Sequence, residues 1–487
     1  MVKPIEQGAL PLLDLDSWRP VDDTLVSSDP LTFPGYPGAL EERRTSPGDE
    51  SVKAGPGLIS GLEVEYALFD FSFFGGSMGE VAGERLARSM ERAAEHGVPF
   101  LLRTSTGGAR MQEGMRALIQ MPKVVVARLR LADAGVPFIA ILAHPTTGGV
   151  FASLASLADV TIAEAKATIG FAGPRVAERF MGYRLPHGSH TAESAFMSGL
   201  VDEVVDPDEL RDFVTSILIT FTPDKPVDAR PPSGPANERL DEWEAVRLAR
   251  DEDRPLAHEL ILEIAESLVV LHGDRVGGVD PAVDIVLARI AGRRMVVLAL
   301  DRQRSPGPAA FREARRAIEI AVRLGLPIVS IVDTPGADPS ADSEAAGIAG
   351  EIARTFRDLL SAPVPTLSIV TGEGGSGGAL AFCTTDVLLA YENSVFSVIG
   401  PELAAEILWR DSERGAEAAR LLKISAADLL TLGIADGLIP EPLTPASLEN
   451  VIAYHLSRLC DAGSGDDLRA ARLQRWRSRY GDREEST

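Results

Sequence analysis

The run Thr371-Gly-Glu-Gly-Gly-Ser-Gly-Gly-Ala-Leu380 decides the fold class of this chain. It follows an apolar stretch, 364–370, that is typical of a buried strand, and it leads into 380–383, which is typical of the first turns of a helix. Glycines at a strand-to-helix turn let backbone N–H groups approach a ligand closely, because no Cβ intervenes. The helix that follows turns its positive dipole end to the same point. We therefore predict that main chain holds a negative charge here.

Two other patterns fit the same run. The dinucleotide pattern G-x-G-x-x-G extends from Gly372 to Gly377, with Glu392 at the spacing expected for a ribose contact. The nucleophile-elbow pattern G-x-S-x-G fits around Ser376. A tight turn without any ligand is a third interpretation. Since one run satisfies two unrelated patterns, neither pattern is specific, and the rest of the chain has to discriminate between them.

Size and charge limit the class of protein. The chain of 487 residues predicts two or three domains, and its net charge of −23, with a pI near 4.8, argues against nucleic acid and anionic membranes as partners. Two cysteines, Cys383 and Cys460, exclude a disulfide scaffold and a four-cysteine zinc site. His187 and His190 lack a third ligand nearby, so no metal is expected. No apolar run has the length of a bilayer span, and a cytoplasmic location is the default expectation.

Strand-like and helical segments alternate along the chain, which predicts an α/β fold with a mainly parallel sheet. In the first half the predicted strands are 63–71, 98–103, 136–143 and 159–163, and the predicted helices are 81–95, 112–134 and 150–157. The Pro-rich stretch 223–240 is typical of a linker. The predicted organisation is a partly disordered leader arm 1–50, a first domain 51–222, the linker, a second domain 241–462, and a charged tail 463–487 with a solvated helix.

The second half of the chain repeats the first. Five landmarks recur at a separation of 227 to 229 residues: Pro99 and Pro327, Pro137 and Pro365, Gly107 and Gly336, Gly148-Gly149 and Gly377-Gly378, and Pro174 and Pro401. This many coincidences at nearly one offset indicate two copies of one α/β domain.

The repeat discriminates between the interpretations of the opening run. The first copy keeps a double glycine, Gly148-Gly149, but it has Thr147 in place of Ser376 and lacks the dinucleotide pattern. What persists is a pair of backbone donors at a helix start. Each copy also has a second such turn, at Gly107-Gly108 and at Gly336-Ala337. Two turns from neighbouring strands can converge into a two-donor oxyanion hole, so we predict one hole in each copy.

These residues resemble a known family, the carboxyltransferase of bacterial acetyl-CoA carboxylase. The first half resembles its β subunit in four runs: Phe74-Gly-Gly-Ser-Met-Gly79, Gly107-Gly-Ala-Arg-Met-Gln-Glu113, Pro145-Thr-Thr-Gly-Gly-Val150 and Ile169-Gly-Phe-Ala-Gly-Pro-Arg175. The second half resembles its α subunit in five: Leu271-His-Gly-Asp-Arg275, Asp333-Thr-Pro-Gly-Ala337, Gly372-Glu-Gly-Gly-Ser-Gly-Gly-Ala379, Ser397-Val-Ile-Gly-Pro-Glu402 and Ile439-Pro-Glu-Pro442. The resemblance covers roughly 60–205 and 255–445, and it implies that two usually separate subunits are fused.

The resemblance implies two tandem crotonase-like (ClpP/crotonase) ββα spiral domains. It also implies a reaction, in which a carboxyl group moves from carboxybiotin to acetyl-CoA, or another short acyl-CoA, and gives malonyl-CoA. The cofactor is biotin on a separate biotin carboxyl carrier protein, which a biotin carboxylase serves. Because each active site of the family lies between a β-like and an α-like domain, often from different chains, at least a homodimer is expected.

Site residues carry over from the family by position. The thioester oxygen is expected at Gly107, Gly108, Gly148 and Gly149, and the biotin oxygen at Gly336, Ala337, Gly378 and Ala379. Substrate contacts are expected from Gly377 and from cations that could pair with the CoA phosphates, namely Arg110, Lys123, Arg128, Arg130 and Arg175. For Asp333 we expect a structural role that braces its turn, and for Cys383 a place in the core.

The chain departs from the family in three places. It lacks the four-cysteine zinc ribbon of the β subunit, its segment 301–308 is shorter than the basic segment of the α subunit, and Thr146-Thr147 stands where Thr-Met is usual. Two other functions therefore stay open. One is a malonate decarboxylase core that uses a carrier-bound malonyl thioester without biotin, and the other is a non-catalytic scaffold in a carboxylase complex.

Overall fold

A computed structural model describes residues 12–22, 24–44, 48–232 and 240–478 of the chain. The chain forms two compact units: Met1–Phe221 with Arg275–Gly277, and Thr222–Asp274 with Gly278–Thr487. Parts of the predicted leader, linker and tail, at 1–11, 23, 45–47, 233–239 and 479–487, lie outside the described residues. No helix in the described part of the chain is long and apolar enough to cross a membrane.

Unit 1 is a seven-stranded sheet in the order β1-β2-β3-β4-β5-β7, with β6 beside β4. Only β1 and β2 pair antiparallel, and the other pairs are parallel. Its strands are β1 (Val52–Ile59), β2 (Leu62–Phe69), β3 (Phe100–Thr106), β4 (Phe138–Thr147), β5 (Val160–Glu164), β6 (Ile169–Gly170) and β7 (Glu203–Val205). Its helices are α1 (Tyr36–Arg43), α2 (Glu80–His96), α3 (Met115–Leu118), α4 (Gln120–Asp133), α5 (Gly149–Ser153), α6 (Pro174–Met181), α7 (Ala192–Met197) and α8 (Leu210–Thr220).

Unit 2 is an eight-stranded sheet in the order β15-β13-β12-β11-β10-β9-β8, with β14 beside β12. Its strands are β8 (Ala265–Val270), β9 (Val283–Ile290), β10 (Arg293–Leu300), β11 (Ile328–Thr334), β12 (Thr366–Gly375), β13 (Val387–Tyr391), β14 (Val395–Ser397) and β15 (Gly437–Ile439). Its helices are α9 (Glu242–Ala249), α10 (Ala257–Ile264), α11 (Pro308–Leu324), α12 (Ala341–Ala345), α13 (Ile348–Ser361), α14 (Ser376–Leu380), α15 (Pro401–Trp409), α16 (Gly415–Leu422), α17 (Ala426–Thr431), α18 (Pro445–Asp461) and α19 (Gly465–Ser478).

The two sheets share one plan, which the repeat in the sequence predicted. Each begins with antiparallel strands, continues with parallel strands joined by helices, and carries a short extra strand beside its longest one. Buried aliphatic side chains of the strands and of the amphipathic helices α2 and α11 form the core of each unit, because these helices present one apolar face to the sheet.

Three predicted elements differ in the structure. The predicted helix 112–134 is interrupted, because Gly114 has a φ of 53° and separates the short turn Met111–Glu113 from α3 and α4. The predicted helix 150–157 ends early, at Ser153. The glycine-rich run is strand up to Gly375, and α14 covers Ser376–Leu380 instead of beginning at Leu380.

The described parts of the predicted leader and tail are packed on their units. Main-chain hydrogen bonds attach Asp14, Arg19 and Val21 to β1, with N–O distances of 2.8 to 2.9 Å. In α19 the buried guanidinium of Arg472 pairs with Asp386 at 2.8 Å and donates to the carbonyl oxygens at the end of α13. These segments therefore pack on the folded units. The tail helix α19 is largely exposed, and only Leu468 and Arg472 of it are buried.

A buried carboxyl group in α11, that of Glu313, is expected to make the stability of unit 2 depend on pH. Glu313 is 4% exposed, and its carboxylate accepts a hydrogen bond from the N–H of Asp280 at 2.7 Å. Burial, with the nearby carboxylates of Asp280 and Asp274, raises the pKa of Glu313 to about 8. The folded protein thus keeps a proton that the unfolded chain has already released at neutral pH, so this group's contribution to stability is lost as the pH rises through about 8.

We expect Glu313→Gln to stabilise the protein increasingly as the pH rises from about 5 to about 9, because glutamine mimics the protonated carboxyl group without its cost of ionisation. The gain over wild type at the alkaline end is expected to exceed about 1 kcal/mol. Thermal unfolding of both proteins across this pH range measures it. Glu319→Gln, an exposed position on the same helix, is the control. A difference in Tm that is the same at every pH would contradict the prediction.

Candidate functional site

In unit 1, the turns that follow β3 and β4 are in contact. Gly108 and Gly148 have φ values of 111° and 75°, in the region that glycine favours. A Cβ on Gly148 would lie 2.8 Å from the Cα of Gly108, so the two backbones approach as closely as two glycines allow. The turns adjoin because β3 and β4 are neighbouring parallel strands that end at the same edge of the sheet, with Thr106 opposite Thr146.

The hydrogen bonds of these turns correct the predicted donors. The N–H of Gly107 donates to the carbonyl oxygen of Gly75 at 2.9 Å, that of Gly108 to Thr106 Oγ1 at 3.0 Å, and that of Gly148 to the carbonyl oxygen of Phe171 at 2.9 Å. These three groups are engaged within the protein and are not available to a thioester.

Two other N–H groups of the same turns are available to a ligand. The N–H of Ala109 has no hydrogen-bond acceptor among the residues that the structure describes. Gly149 begins α5, and N–H groups of a first helical turn lack an intrahelical acceptor. Gly149 is thus the one predicted donor in unit 1 that the geometry leaves available, and Ala109 was missed by the sequence analysis.

The turns after β11 and β12 repeat this arrangement in unit 2. Gly336, with a φ of 121°, donates its N–H to Thr334 Oγ1 at 3.3 Å, as Gly108 does to Thr106. The N–H of Ala337 has no acceptor in the described part of the chain. A Cβ on Gly378 would lie 2.6 Å from the nitrogen of Ala337, so α14 begins directly beside that N–H.

Strand register shows which residues of the two units are equivalent. Thr106 pairs with Thr146 in unit 1, and Thr334 pairs with Gly374 in unit 2. Equivalent residues of these strands in the two units are therefore 228 positions apart. Ala109 therefore corresponds to Ala337, a residue that the sequence analysis did select.

The same offset corrects the predicted pairing of the double glycines by one residue. It makes Gly148 equivalent to Ser376, and both have a positive φ, of 75° and 58°. Gly149 is then equivalent to Gly377. Ala379 is the fourth residue of α14, where the N–H bonds to the cap carbonyl, so the available donors of this helix are at Gly377 and Gly378.

Close packing accounts for the glycines of the glycine-rich run, so a bound dinucleotide is not needed to explain them. A Cβ on Gly372 would lie 2.3 Å from Asp333 Oδ1. A Cβ on Gly374 would lie 2.2 Å from the ring of Phe396, and a Cβ on Gly375 would lie 1.9 Å from the carbonyl oxygen of Pro335. Each of these three positions thus requires glycine, because a neighbouring atom occupies the place of a Cβ. Ser376 is exposed, but no histidine in the described residues hydrogen-bonds its hydroxyl group, so the activated nucleophile of an elbow is absent there.

The buried carboxylate of Asp333 holds the glycine-rich run in place by an ion pair and a main-chain hydrogen bond. Asp333 accepts a hydrogen bond from the N–H of Glu373 at 2.9 Å and pairs with Arg302 at 2.8 Å. Burial raises the pKa of Asp333, and Arg302 acts against that rise. Arg302 also donates to the carbonyl oxygens of Asp251 and Arg254, so the shortened segment 301–308 supports the fold with this side chain.

Arg110 does not reach a substrate, contrary to the prediction. Its side chain is fully buried, pairs with Glu50 and with Glu113, and donates to Ser51 Oγ at 2.8 Å. Burial acts to raise the pKa of Glu50, but Arg110 outweighs it and holds that pKa below its ordinary value. Arg110 therefore forms structural ion pairs that hold the turn after β3 in place. Arg128 is likewise buried and pairs with Asp159 at 2.9 Å.

The other predicted cations lie at the surface of unit 1. Lys123 pairs with Glu84 at 2.5 Å, and Arg130 pairs with Glu91. Arg175 and two further arginines line a shallow, open depression of the surface at helix α6. The lining residues are Arg175, Glu178, Arg179, Gly182, Tyr183 and Arg184. Three guanidinium groups around one opening can bind phosphate, and two of them were not selected from the sequence.

Comparison with known proteins identifies the family of the chain. Residues 234–478 match the family model described as "Acetyl co-enzyme A carboxylase carboxyltransferase-like". The chain is 40% identical over 462 residues to the acetyl-coenzyme A carboxylase carboxyl transferase subunits beta/alpha of Salinispora tropica, covering 89% of this chain and 82% of the relative. It is 38% identical over 468 residues to the "Probable biotin-dependent acyl-coenzyme A carboxylase beta3 subunit" of Mycobacterium bovis, covering 92% and 94%.

A solved structure is similar over nearly the whole chain. Transcarboxylase 12S, determined with methylmalonyl-coenzyme A bound, superimposes with a TM-score of 0.76 at 25% identity and covers 94% of this chain and 90% of its own. A single-chain long-chain acyl-CoA carboxylase shares the fold, with a TM-score of 0.74 at 19% identity, and covers 93% of this chain and 45% of its own.

Two α/β units with equivalent double turns at the ends of parallel strands form a tandem crotonase-like fold, which confirms the predicted fold class. The comparisons support the class of biotin-dependent acyl-CoA carboxyltransferases for this chain. The chain belongs to the acetyl-CoA carboxylase carboxyltransferase family, as its motifs predicted.

Proposed function

We propose that this chain transfers the carboxyl group of carboxybiotin, held on a biotin carboxyl carrier protein, to acetyl-CoA and forms malonyl-CoA. The observation that carries the proposal is the equivalent double turn in each unit, where the N–H groups of Ala109 and Ala337 have no acceptor in the described residues. The Salinispora relative, named for acetyl-CoA, supports the choice of substrate.

In unit 1 the N–H groups of Ala109 and Gly149 hold the thioester oxygen. Removal of a proton from the α-carbon of acetyl-CoA places negative charge on this oxygen, and two fixed donors stabilise that charge without reorganising. Loss of one such donor costs about a hundred- to a thousandfold in rate. The side chain of Met121 covers Gly149 on one side, because a Cβ on Gly149 would lie 1.6 Å from the terminal methyl group of Met121.

In unit 2 the N–H groups of Ala337, Gly377 and Gly378 hold the ureido oxygen of biotin. A Cβ on Gly377 would meet no atom within 4 Å, so the start of α14 has room for a bound group. When bound, carboxybiotin would supply the carboxyl group as carbon dioxide by cleavage of its N–C bond, and the ureido nitrogen freed by that cleavage could accept the proton from acetyl-CoA. The chain then needs no side-chain acid or base, which explains why glycines and alanines mark both turns.

The open depression at α6 holds the phosphates of coenzyme A. Arg175, Arg179 and Arg184 line it, and guanidinium groups bind phosphate by paired, charge-assisted hydrogen bonds. On a chain of net charge −23 such a local basic cluster is needed to attract an anionic substrate. This assignment replaces Arg110 and keeps Arg175 from the sequence analysis.

We also propose that at least two copies of the chain assemble, with unit 1 of one copy facing unit 2 of another. Large apolar side chains are exposed on α6 and on α15, including Phe180 at 87% and Ile407 at 65% exposure. Exposed apolar residues on one helix of each unit are typical of surfaces that another protein covers. Light scattering of the purified chain measures this, and the mass of a single chain would contradict it.

Incubation of the purified chain with malonyl-CoA and biocytin, a soluble biotin analogue, tests the function by the reverse reaction. We expect acetyl-CoA to form only when biocytin is present, because biocytin must accept the carboxyl group. Methylmalonyl-CoA in parallel tests the acyl group, since transcarboxylase 12S binds that thioester. Acetyl-CoA formed without biocytin would favour the decarboxylase. No turnover of either thioester by folded protein would overturn the proposal and favour the scaffold.

A further inference from the structure

Three ligand-type side chains meet in unit 2 at a place that the carboxyl transfer does not use. His258 is the second residue of α10, Asp284 lies in β9, and Asp301 directly follows β10. Their potential ligand atoms all lie within 4.8 Å of one another. The antiparallel pairing of β9 and β10 places Asp284 opposite Ala299, and the start of α10 brings His258 to the same edge.

The three groups carry an excess of negative charge. Nδ1 of His258 lies 2.6 Å from Asp301 Oδ2, and Asp301 Oδ1 accepts a hydrogen bond from the N–H of Ala257 at 2.7 Å. Asp284 has no hydrogen-bond partner among the described residues, and neither carboxylate is paired there with an arginine or a lysine.

We propose that His258, Asp284 and Asp301 bind a divalent cation of the Mn²⁺ or Zn²⁺ class. One imidazole and two carboxylates are a donor set that these ions accept, and binding of the ion releases to solvent the proton that His258 Nδ1 shares with Asp301 Oδ2. Bonds of about 2.1 Å place two ligands of one ion at most about 4.2 Å apart, so a small rotation of the Asp284 side chain completes the set. The His258 side chain is 39% exposed, which leaves a path for the ion and space for water ligands.

The ion would have a structural role, because its ligand Asp301 is connected through side-chain contacts to β12, the strand that leads into α14. Asp301 is followed by Arg302, which pairs with Asp333 at 2.8 Å, and Asp333 accepts the N–H of Glu373 in β12 at 2.9 Å. A cation that fixes Asp301 therefore fixes the first member of this chain of contacts. No metal was expected from the sequence, because the histidines show no ligand spacing and His187 and His190 lack a third ligand nearby. Positions 258, 284 and 301 are far apart in the chain and meet only in the folded unit.

Binding of Mn²⁺ to the full-length chain, freed of metal with a chelator and followed by electron paramagnetic resonance, tests the proposal. We expect one Mn²⁺ per chain, displaced by Zn²⁺, and a rise in Tm on binding. Asp284→Asn and His258→Gln are expected to weaken binding at least tenfold, because each removes one ligand. Glu263→Gln removes a charge from the exposed side of the same helix and should leave binding unchanged.

Two results would overturn the proposal. The first is wild-type protein that binds neither Mn²⁺ nor Zn²⁺ in this titration and in elemental analysis after dialysis. The second is equal binding by wild type and Asp284→Asn, which would place the ion elsewhere. The metal titration does not depend on carboxyl transfer, so its failure is distinct from a failure of the proposed function. Asp284→Asn keeps the shape of the side chain, and its folding is checked by circular dichroism.

Discussion

Gly375→Ala is expected to lower kcat of biocytin-dependent malonyl-CoA turnover by about a hundred- to a thousandfold. Its φ of −95° suits alanine, so the strand itself is not strained. The added Cβ, however, would lie 1.9 Å from the carbonyl oxygen of Pro335 and 2.6 Å from the nitrogen of Gly336. The turn that carries the N–H of Ala337 has to move, and a displacement of about 1 Å is enough to cost about a hundredfold in rate.

Gly400→Ala is the matched control in the same unit. A Cβ there would meet its nearest atom at 3.9 Å, so neither kcat nor the stability should change. Gly148→Ala tests the thioester side, where a Cβ would lie 2.8 Å from the Cα of Gly108 and the φ of 75° disfavours alanine. Both site variants should keep the wild-type circular dichroism spectrum. Wild-type kcat for Gly375→Ala would show that this turn does not hold the reacting group.

Arg110→Met is expected to destabilise unit 1 by about 3–5 kcal/mol, because it leaves a buried carboxylate without its partner. Glu50 is 1% exposed and pairs with the guanidinium of Arg110, and Glu113 lies 3.2 Å from the same group. The urea concentration at the midpoint of unfolding measures the loss. A role in binding coenzyme A would instead raise KM and leave the stability unchanged.

Arg130→Met is the control for a surface arginine. Its side chain is 63% exposed and pairs with Glu91, and exposed pairs contribute only about 0–1 kcal/mol. The double variant Arg110→Met, Glu50→Gln should recover part of the loss, since it removes the unpaired charge. If Arg110→Met unfolds at the same urea concentration as Arg130→Met, the ion pair is not what holds the turn after β3.

Local patterns were sufficient for the fold class. Apolar runs and glycine turns predicted alternating strands and helices, and the recurrence at about 228 residues predicted two copies of one domain. The alternation is a local signal, because strands and helices impose their own side-chain periodicity on neighbouring residues. The recurrence is seen directly as similarity between the two halves of the sequence. Boundaries were less predictable. Gly114 divides a helix that its apolar spacing favoured, and Arg472 anchors a tail helix whose composition is typical of a solvated one.

The donors of the site needed the tertiary structure. Whether an N–H group is available depends on acceptors far away in sequence, such as the carbonyl oxygen of Gly75 for Gly107 and that of Phe171 for Gly148. Ala109 could have been found from the sequence, because it lies 228 residues before Ala337, but the double glycines suggested an offset of 229. Strand register, which is a property of paired strands, corrected that by one residue.

The sequence by itself determined the family, the doubled α/β fold and the two turns of each copy, because these depend on residue types at short spacing. The tertiary structure alone decided that Ala109 offers an N–H group, that Arg110 is a buried ion pair, and that His258 meets Asp284 and Asp301. The physical reason is that hydrogen bonding, burial and charge pairing are set by contacts between segments that folding brings together.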